Sequence, residues 1–466
     1  MTTQVTFDYT NMLEEVAGPE DGVTFLELDE LAEDSYRYHE QIQQERQAGK
    51  LDFLKLPYDA AQVHAVESCA SELRGRCENF VVIGIGGSAL GNTMLHQALT
   101  PPYYNLLPRE KRGGPRFFVL DNVDPTRLAA LLDVVDLEET VFNVITKSGT
   151  TAETMAQFLV VAHELRRRLG ERATEQVVVT TDPEHGPLRA CAREGHFRSF
   201  PIPPGVGGRY SVLSAVGLLS AAVTGTDVEE LLAGAQAMDR RCAEPTLTQN
   251  PAYLYGALHY ILYHKAKRLH VMMPYADALE SFADWFRQLW AESLGKRLGV
   301  TGERVVIGPT PIKALGATDQ HSQLQLYVEG REDKVFTFLA VGECERDLTI
   351  PDAFPDAEPL RYLAGHSLSQ LLAAERRATA LVLAEEHRPN CTLTVPRLDP
   401  SHLGQLILLF ELAAAFSGKL YRVNPFDQPG VEASKQATYA LMGRAGYEEL
   451  REEIEKKLAS GSGHVL

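Results

Sequence analysis

Between residues 80 and 200 the apolar runs FVVIGI, RFFVL, TVFNVIT, QVVVTT and HFRSF recur with little polar alternation, separated by stretches of helical spacing. Runs of this kind predict strands covered on both faces, and their alternation with helices predicts a parallel βαβ series. The Pro/Gly-rich run PIPPGVGGRYS follows, and SVLSAVGLLSAAVTG after it reads as a small-residue helix at the centre of the molecule. A second α/β series then begins, with strand candidates LHVMMPY, RVVIGP, KVFTFLAV and TLTVP. Residues 24–48 mix apolar positions with charges, as exposed amphipathic helices do. The end, YEELREEIEKKLASGSGHVL, predicts a charged surface helix and a flexible tail.

At 466 residues the chain exceeds what one hydrophobic core organises, so two α/β domains are expected. The pattern divides it into a helical N-terminal extension (1–55), a first α/β domain (56–205), a second (206–425) and a C-terminal loop and helix (426–466). A formal charge of -18 argues against non-specific nucleic-acid binding, yet leaves room for a small anion in a locally basic site. The six cysteines form no CxxC pair, which points to reduced thiols and a cytoplasmic location. No secretory signal is apparent at the N-terminus. The apolar stretch LGQLILLFELAAAFSG is interrupted by Gln405 and Glu411 and is short for a bilayer, so no membrane contact is expected.

Candidate chemistry begins at the first strand, where Gly84, Gly86, Gly87 and Ser88 read as strand, glycine loop and helix start. Glycines let a backbone approach a ligand, and the N–H groups of a helix start point at an anion; phosphate is the simplest guest. A tight turn without a ligand is the alternative. A second loop, Thr146-Lys147-Ser148-Gly149-Thr150-Thr151, follows the strand VFNVI and offers hydroxyls, N–H groups and one charge to a phosphate. Thr150 followed by Glu153 also fits a capping box.

Arg209 precedes a helix, where a cation meets the positive end of the dipole, and is better placed there if an anion sits beside it. Pairing with a structural carboxylate or a chain carbonyl is the other reading. In SFADWFRQLWAESLGK, helical spacing puts Trp285, Gln288, Leu289, Glu292 and Lys296 on one face. Glu292 thus lies on an apolar stripe, where a carboxylate can act as base or acid near neutral pH, or simply pair with Lys296. His321 sits in a polar, turn-rich stretch as a solvated residue or a proton shuttle. Lys435 follows the compact run NPFDQPGVEAS before a long helix, where most lysines are surface charges. No metal set is evident, since His259 and His264 are five apart and miss helical ligand spacing. No cofactor is expected.

The blocks GIGGSALG, TKSGTTAET, GGRYSVLSAVGL, QLWAESLGK, DQHSQ and FDQPGVEASK, in this order from residue 84 to 435, resemble the phosphoglucose isomerase family. GGRYS and FDQxGVExxK are the most specific of them. The second loop reads TKSGTT where many members have SKTFTT, and the chain looks like the compact bacterial branch. The resemblance implies two doubly wound parallel-sheet domains of the sugar-isomerase type, each a three-layer αβα unit, with helical extensions at both ends. It implies interconversion of glucose 6-phosphate and fructose 6-phosphate by acid–base proton transfer through an enediolate. Gly87, Ser88, Thr146, Lys147, Ser148 and Thr151 would hold the phosphate, and Glu292 would move the proton between C1 and C2. Arg209 would stabilise the enediolate, His321 and Lys435 would assist ring opening, and Gln288 and Gln428 would touch the sugar. The family is usually homodimeric, with the histidine donated by the neighbouring subunit.

Two other functions compete. A nicotinamide dehydrogenase could use Gly84 to Ala89 and an acid such as Asp121, but that acid lies well beyond the usual ~20-residue spacing. A non-catalytic sugar-phosphate sensor needs both phosphate loops, yet has no use for Glu292, His321 and Lys435 together.

Overall fold

A computed structural model describes residues 4–461. The N-terminal segment contributes β1 (Thr6–Asp8) and the helices Phe25–Glu30 and Ala32–Gln47. The first α/β unit holds β2 (Asn79–Ile83), β3 (Arg116–Leu120), β4 (Thr140–Ile145), β5 (Val177–Thr181) and β6 (Arg198–Pro201). These five pair in parallel in the order β3-β2-β4-β5-β6, as the unalternated runs predict. Every residue of β2, β4 and β5 is buried, because helices cover both sheet faces. The chain moves outward from β2 to β3 and then crosses to β4, so the order reverses beside β2. In an open α/β sheet the crevice beyond the carboxyl ends of such strands is where ligands bind.

The second unit contains β7 (Leu269–Pro274), a hairpin of β8 (Lys296–Leu298) and β9 (Arg304–Ile307), then β10 (Thr310–Lys313), β11 (Lys334–Glu343) and β12 (Asn390–Arg397). Its sheet runs β1-β12-β11-β7-β10. Two features differ from the sequence reading. RVVIGP was expected to enter the sheet, but Arg304–Ile307 pairs antiparallel with Lys296–Leu298, and TPIK fills the sheet position. The reason is burial: residues 304–307 alternate exposed and half-buried, with Val306 61% exposed, whereas a central strand is covered on both faces. The N-terminal extension is not helical throughout, because β1 adds an antiparallel edge strand against β12.

Ala215–Val223 is buried at all nine positions, in keeping with its small-residue, apolar sequence. Pro400–Leu420 is the one helix among the described residues long and apolar enough to cross a membrane, and 94% of its apolar window is buried inside the fold, as in a core helix. Both oxygens of its Glu411 are buried without a hydrogen-bond partner among the described residues. Burial holds this carboxyl well above the ordinary 4.5. The unfolded chain therefore loses the proton near pH 4.5 while the folded chain keeps it, so this group's contribution to stability is complete below that pH and is lost as pH rises. Glu411→Gln is expected to melt several degrees higher than wild type at pH 8 and at the same temperature at pH 4. Equal melting temperatures at pH 8, read by scanning calorimetry, would contradict this.

Candidate active site

Both anion loops lie at the reversal point, one after β2 and one after β4. Gly86 has φ +56°, a left-handed conformation that disfavours a side chain, and a Cβ on Gly87 would lie 2.2 Å from the backbone of Gly208. The glycine pair thus lets the first loop pack against the segment carrying Arg209. Ser88 is half-buried beside the helix Leu90–Leu99, whose start at Ala89 has no side-chain cap.

In the second loop Thr146 is buried, its hydroxyl 2.8 Å from that of Thr151. Ser148 Oγ accepts from the N–H of Thr150 (3.2 Å) and its hydroxyl (3.1 Å). The helix Ala152–Leu169 starts after Thr151 without a side-chain cap, so the Thr150–Glu153 capping box is not formed. An uncapped helix start ringed by hydroxyls suits an anion. Lys147 does not extend towards this cradle: Nζ donates to the carbonyls of Pro204 (2.6 Å) and Val206 (2.9 Å), and burial lowers its pKa. It fastens the loop to the segment before Arg209. Lys147→Ala and Ser148→Ala are each expected to raise KM for a phosphorylated sugar more than they lower kcat, since phosphate binding is remote from the reacting carbons. Unchanged KM in both would make the loop a mere helix start.

Glu292 projects from the helix Glu280–Leu294, whose Phe282, Trp285, Phe286, Leu289 and Trp290 are buried. Its side chain is 34% exposed and its Oε2 lies 3.2 Å from Nη1 of Arg209, which is 2% exposed. The alternative pairing with Lys296 does not occur. The helix ends at Leu294, and Lys296 Nζ donates to the carbonyl of Glu292 instead, at 2.8 Å. All five donors of Arg209 are engaged. Nε bonds Ser293 Oγ (2.9 Å), Nη1 bonds Glu292 and Gln428 Oε1 (3.0 Å), and Nη2 bonds the carbonyls of Pro425 (2.6 Å) and Asp427 (3.0 Å). The pairing with a carboxylate and with chain carbonyls is thus what the fold shows for Arg209.

Gln288 Nε2 lies 3.4 Å from Glu292 Oε1 and faces Gly86, whose Cβ would come within 3.0 Å of it. Gln288 Oε1 is buried without a partner among the described residues, so it can accept from a ligand hydroxyl. Gln288 thereby joins the first loop to Glu292. A cleft of about 1500 Å3 opens on Glu292 and Gln428, and neither anion loop lines it.

His321 and Lys435 are not brought to this centre within the chain. His321 is exposed at the end of the turn Thr318–His321. Lys435 is exposed and donates to Glu432 Oε1 at 2.8 Å. Its helix, Glu432–Leu441, does touch the second loop, through Tyr439 Oη to the Thr150 carbonyl at 3.3 Å. The sequence reading missed Ser293, Asp427 and Tyr439. Position four after Lys435 is the only signal that could have found Tyr439. Asp121, the acid of the dehydrogenase reading, is ion-paired with Arg127 at 2.6 Å. Among the described residues no cluster of His, Cys, Asp and Glu has the arrangement of a metal site.

The Phosphoglucose isomerase family model matches residues 64–453. A glucose-6-phosphate isomerase of Carboxydothermus hydrogenoformans is 50% identical over 416 residues, 89% of this chain and 90% of that protein. One from Rubrobacter xylanophilus is 47% identical over 454 residues, 95% of this chain and 99% of the relative. Among solved structures, a hypothetical protein of Thermus thermophilus superposes with TM-score 0.82 at 35% identity, over 94% of this chain and all of that one. A Chlamydia trachomatis glucose-6-phosphate isomerase shares the fold, with TM-score 0.72 at 24% identity, over 85% of this chain and 76% of its own. A match over most of the chain and relatives at this identity place it without ambiguity: the chain belongs to the phosphoglucose isomerase family.

Proposed function

We propose that this chain interconverts glucose 6-phosphate and fructose 6-phosphate, with Glu292 as the base that carries the proton between C2 and C1. The observation that carries the reading is the bonded set Gln288, Glu292 and Arg209, lying against a glycine loop whose helix start has no side-chain cap. The hydroxyls of Ser88, Thr146, Ser148 and Thr151, with the Gly87 backbone, hold the phosphate, and Lys147 keeps their loop in place. Glu292 takes the C2 proton of the open-chain aldose, and the C–H electron pair becomes the C1–C2 double bond while charge moves to O1. The hydroxyl proton passes from O2 to O1, and return of the first proton to C1 gives the ketose. Arg209 stabilises the negative oxygen, exchanging its exposed Gln428 partner for it. A division into α/β units 56–205 and 206–425 puts the phosphate loops in one and Arg209 and Glu292 in the other. A cytoplasmic location fits six free cysteines.

A coupled assay that starts from fructose 6-phosphate and detects glucose 6-phosphate tests the reaction. Absence of product, with phosphate-sugar binding intact, would favour the sensor.

Lys435 and a His321 from a second copy assist ring opening. The exposure of His321 is compatible with this arrangement. In a two-fold dimer each centre then combines Glu292 of one chain with His321 of the other. Co-refolding Glu292→Gln with His321→Ala is expected to return about a quarter of wild-type activity, since about half the dimers are mixed and each has one intact centre. Activity at the sum of the separate variants, with mixed dimers formed, would place His321 in its own chain's site or outside the mechanism.

A further inference from the structure

Lys296 is buried, its side chain 5% exposed, and it stands two residues beyond the end of the Glu292 helix. Its ammonium donates to the Glu292 carbonyl and to the Asp427 carbonyl, and pairs with Asp427 Oδ1 at 3.0 Å. The Asp427 carbonyl also accepts from Arg209 Nη2, so two cations fill it from two sides. The other carboxylate oxygen, Oδ2, accepts from Asn424 Nδ2 at 2.9 Å, and Asn424 Oδ1 accepts from the Phe426 N–H at 3.0 Å. The turn 425–428 is thus held on the Glu292 helix, and it ends in Gln428, the exposed partner of Arg209.

We propose that Lys296 and Asp427 are a positioning pair for proton transfer, holding this turn so that Arg209 and Gln428 keep their alignment on Glu292. The inference rests on Glu292 being the base. Every polar contact of the Lys296 ammonium among the described residues goes to the helix end or to the turn, so it acts through these groups and not on the sugar. A cation at a helix C-terminus also stabilises the helix, which is the purely structural reading. The two differ in what they do to turnover. A misplacement of about 1 Å in a reacting group can cost 10²-fold in rate while leaving binding nearly intact.

Lys296→Met, Lys296→Arg, Asp427→Asn and the Lys296→Met/Asp427→Asn double variant, made in the full chain, test the pair. Lys296→Met is expected to lower kcat about 10- to 100-fold and change KM by less than about threefold. Lys296→Arg should recover most of the turnover, and the double variant should be no slower than Lys296→Met, because both changes break one link. The acid limb of kcat/KM should stay in place. A lower melting temperature with unchanged kcat would make the pair a structural clasp, and a displaced acid limb would mean that Lys296 acts on Glu292 by charge; either overturns the proposal. Should Lys296→Met fail to fold, Asp427→Asn against Lys296→Arg decides, with kcat lost in the first and kept in the second. Glu292→Gln is measured alongside: near-wild-type turnover there overturns the base assignment and this inference together, whereas an inactive Glu292→Gln beside a fully active Lys296→Met overturns the inference alone.

Discussion

Glu292→Gln is expected to lower kcat by about 10²- to 10⁴-fold, the range of a general acid–base residue, with KM close to wild type. The substitution keeps the size of the side chain and an oxygen that can accept from Arg209 Nη1, so the helix, the turn 425–428 and the loops after β2 and β4 stay in place. What disappears is the carboxylate proposed to take a proton from carbon. Exchange of the C2 hydrogen with solvent deuterium should fall in step with kcat, because both need the same proton abstraction. Exchange near the wild-type rate, measured by NMR on the sugar phosphate, would remove Glu292 from the mechanism whatever happened to net turnover.

Arg209→Lys is expected to lower kcat by about 10²- to 10³-fold, as loss of a preorganised donor at a developing oxyanion does. The charge survives, but an ammonium has three donors on a flexible stem, and Arg209 uses five in a planar fork. Three donors cannot serve all five acceptors, Ser293, Glu292, Gln428 and the carbonyls of Pro425 and Asp427, so at least two of these contacts are lost. The turn should therefore exchange its amide hydrogens faster in the variant, while the first sheet keeps its protection. Turnover near wild type would show that charge alone suffices at this position. Faster exchange spread over the whole chain would show that the loss is one of folding.

Much of the architecture follows from local pattern. A strand buried on both faces must be apolar at every position, so the runs in β2, β4 and β5 announced themselves, as did the loops at their carboxyl ends. The resemblance carried by GGRYS, QLWAESLGK and FDQPGVEASK located Arg209, Glu292, Gln288 and Gln428, and the structure brings these four together. Where local pattern and tertiary packing competed, packing prevailed. RVVI has strand residues but is only half covered, and becomes a hairpin outside the sheet. The β1 strand is three residues long and exists by pairing with β12, nearly four hundred residues away, which no rhythm of its own reveals.

Side-chain destinations were the least legible. Spacing put Lys296 beside Glu292, but the helix ends first and the ammonium turns to the carbonyl and to Asp427, 131 residues distant. Thr150 and Glu153 have the spacing of a capping box that the fold does not form, and Lys147 goes to chain carbonyls 57 and 59 residues away. Arg209 draws its partners from separations of 83 to 219 residues. Sequence by itself determined most of the segments that form buried strands and helices and which residue types can do chemistry, because periodicity and glycine freedom act over a few neighbouring residues. Only the tertiary structure decided which donor meets which acceptor, because a buried polar group must take its partner from whatever packing brings within about 3 Å.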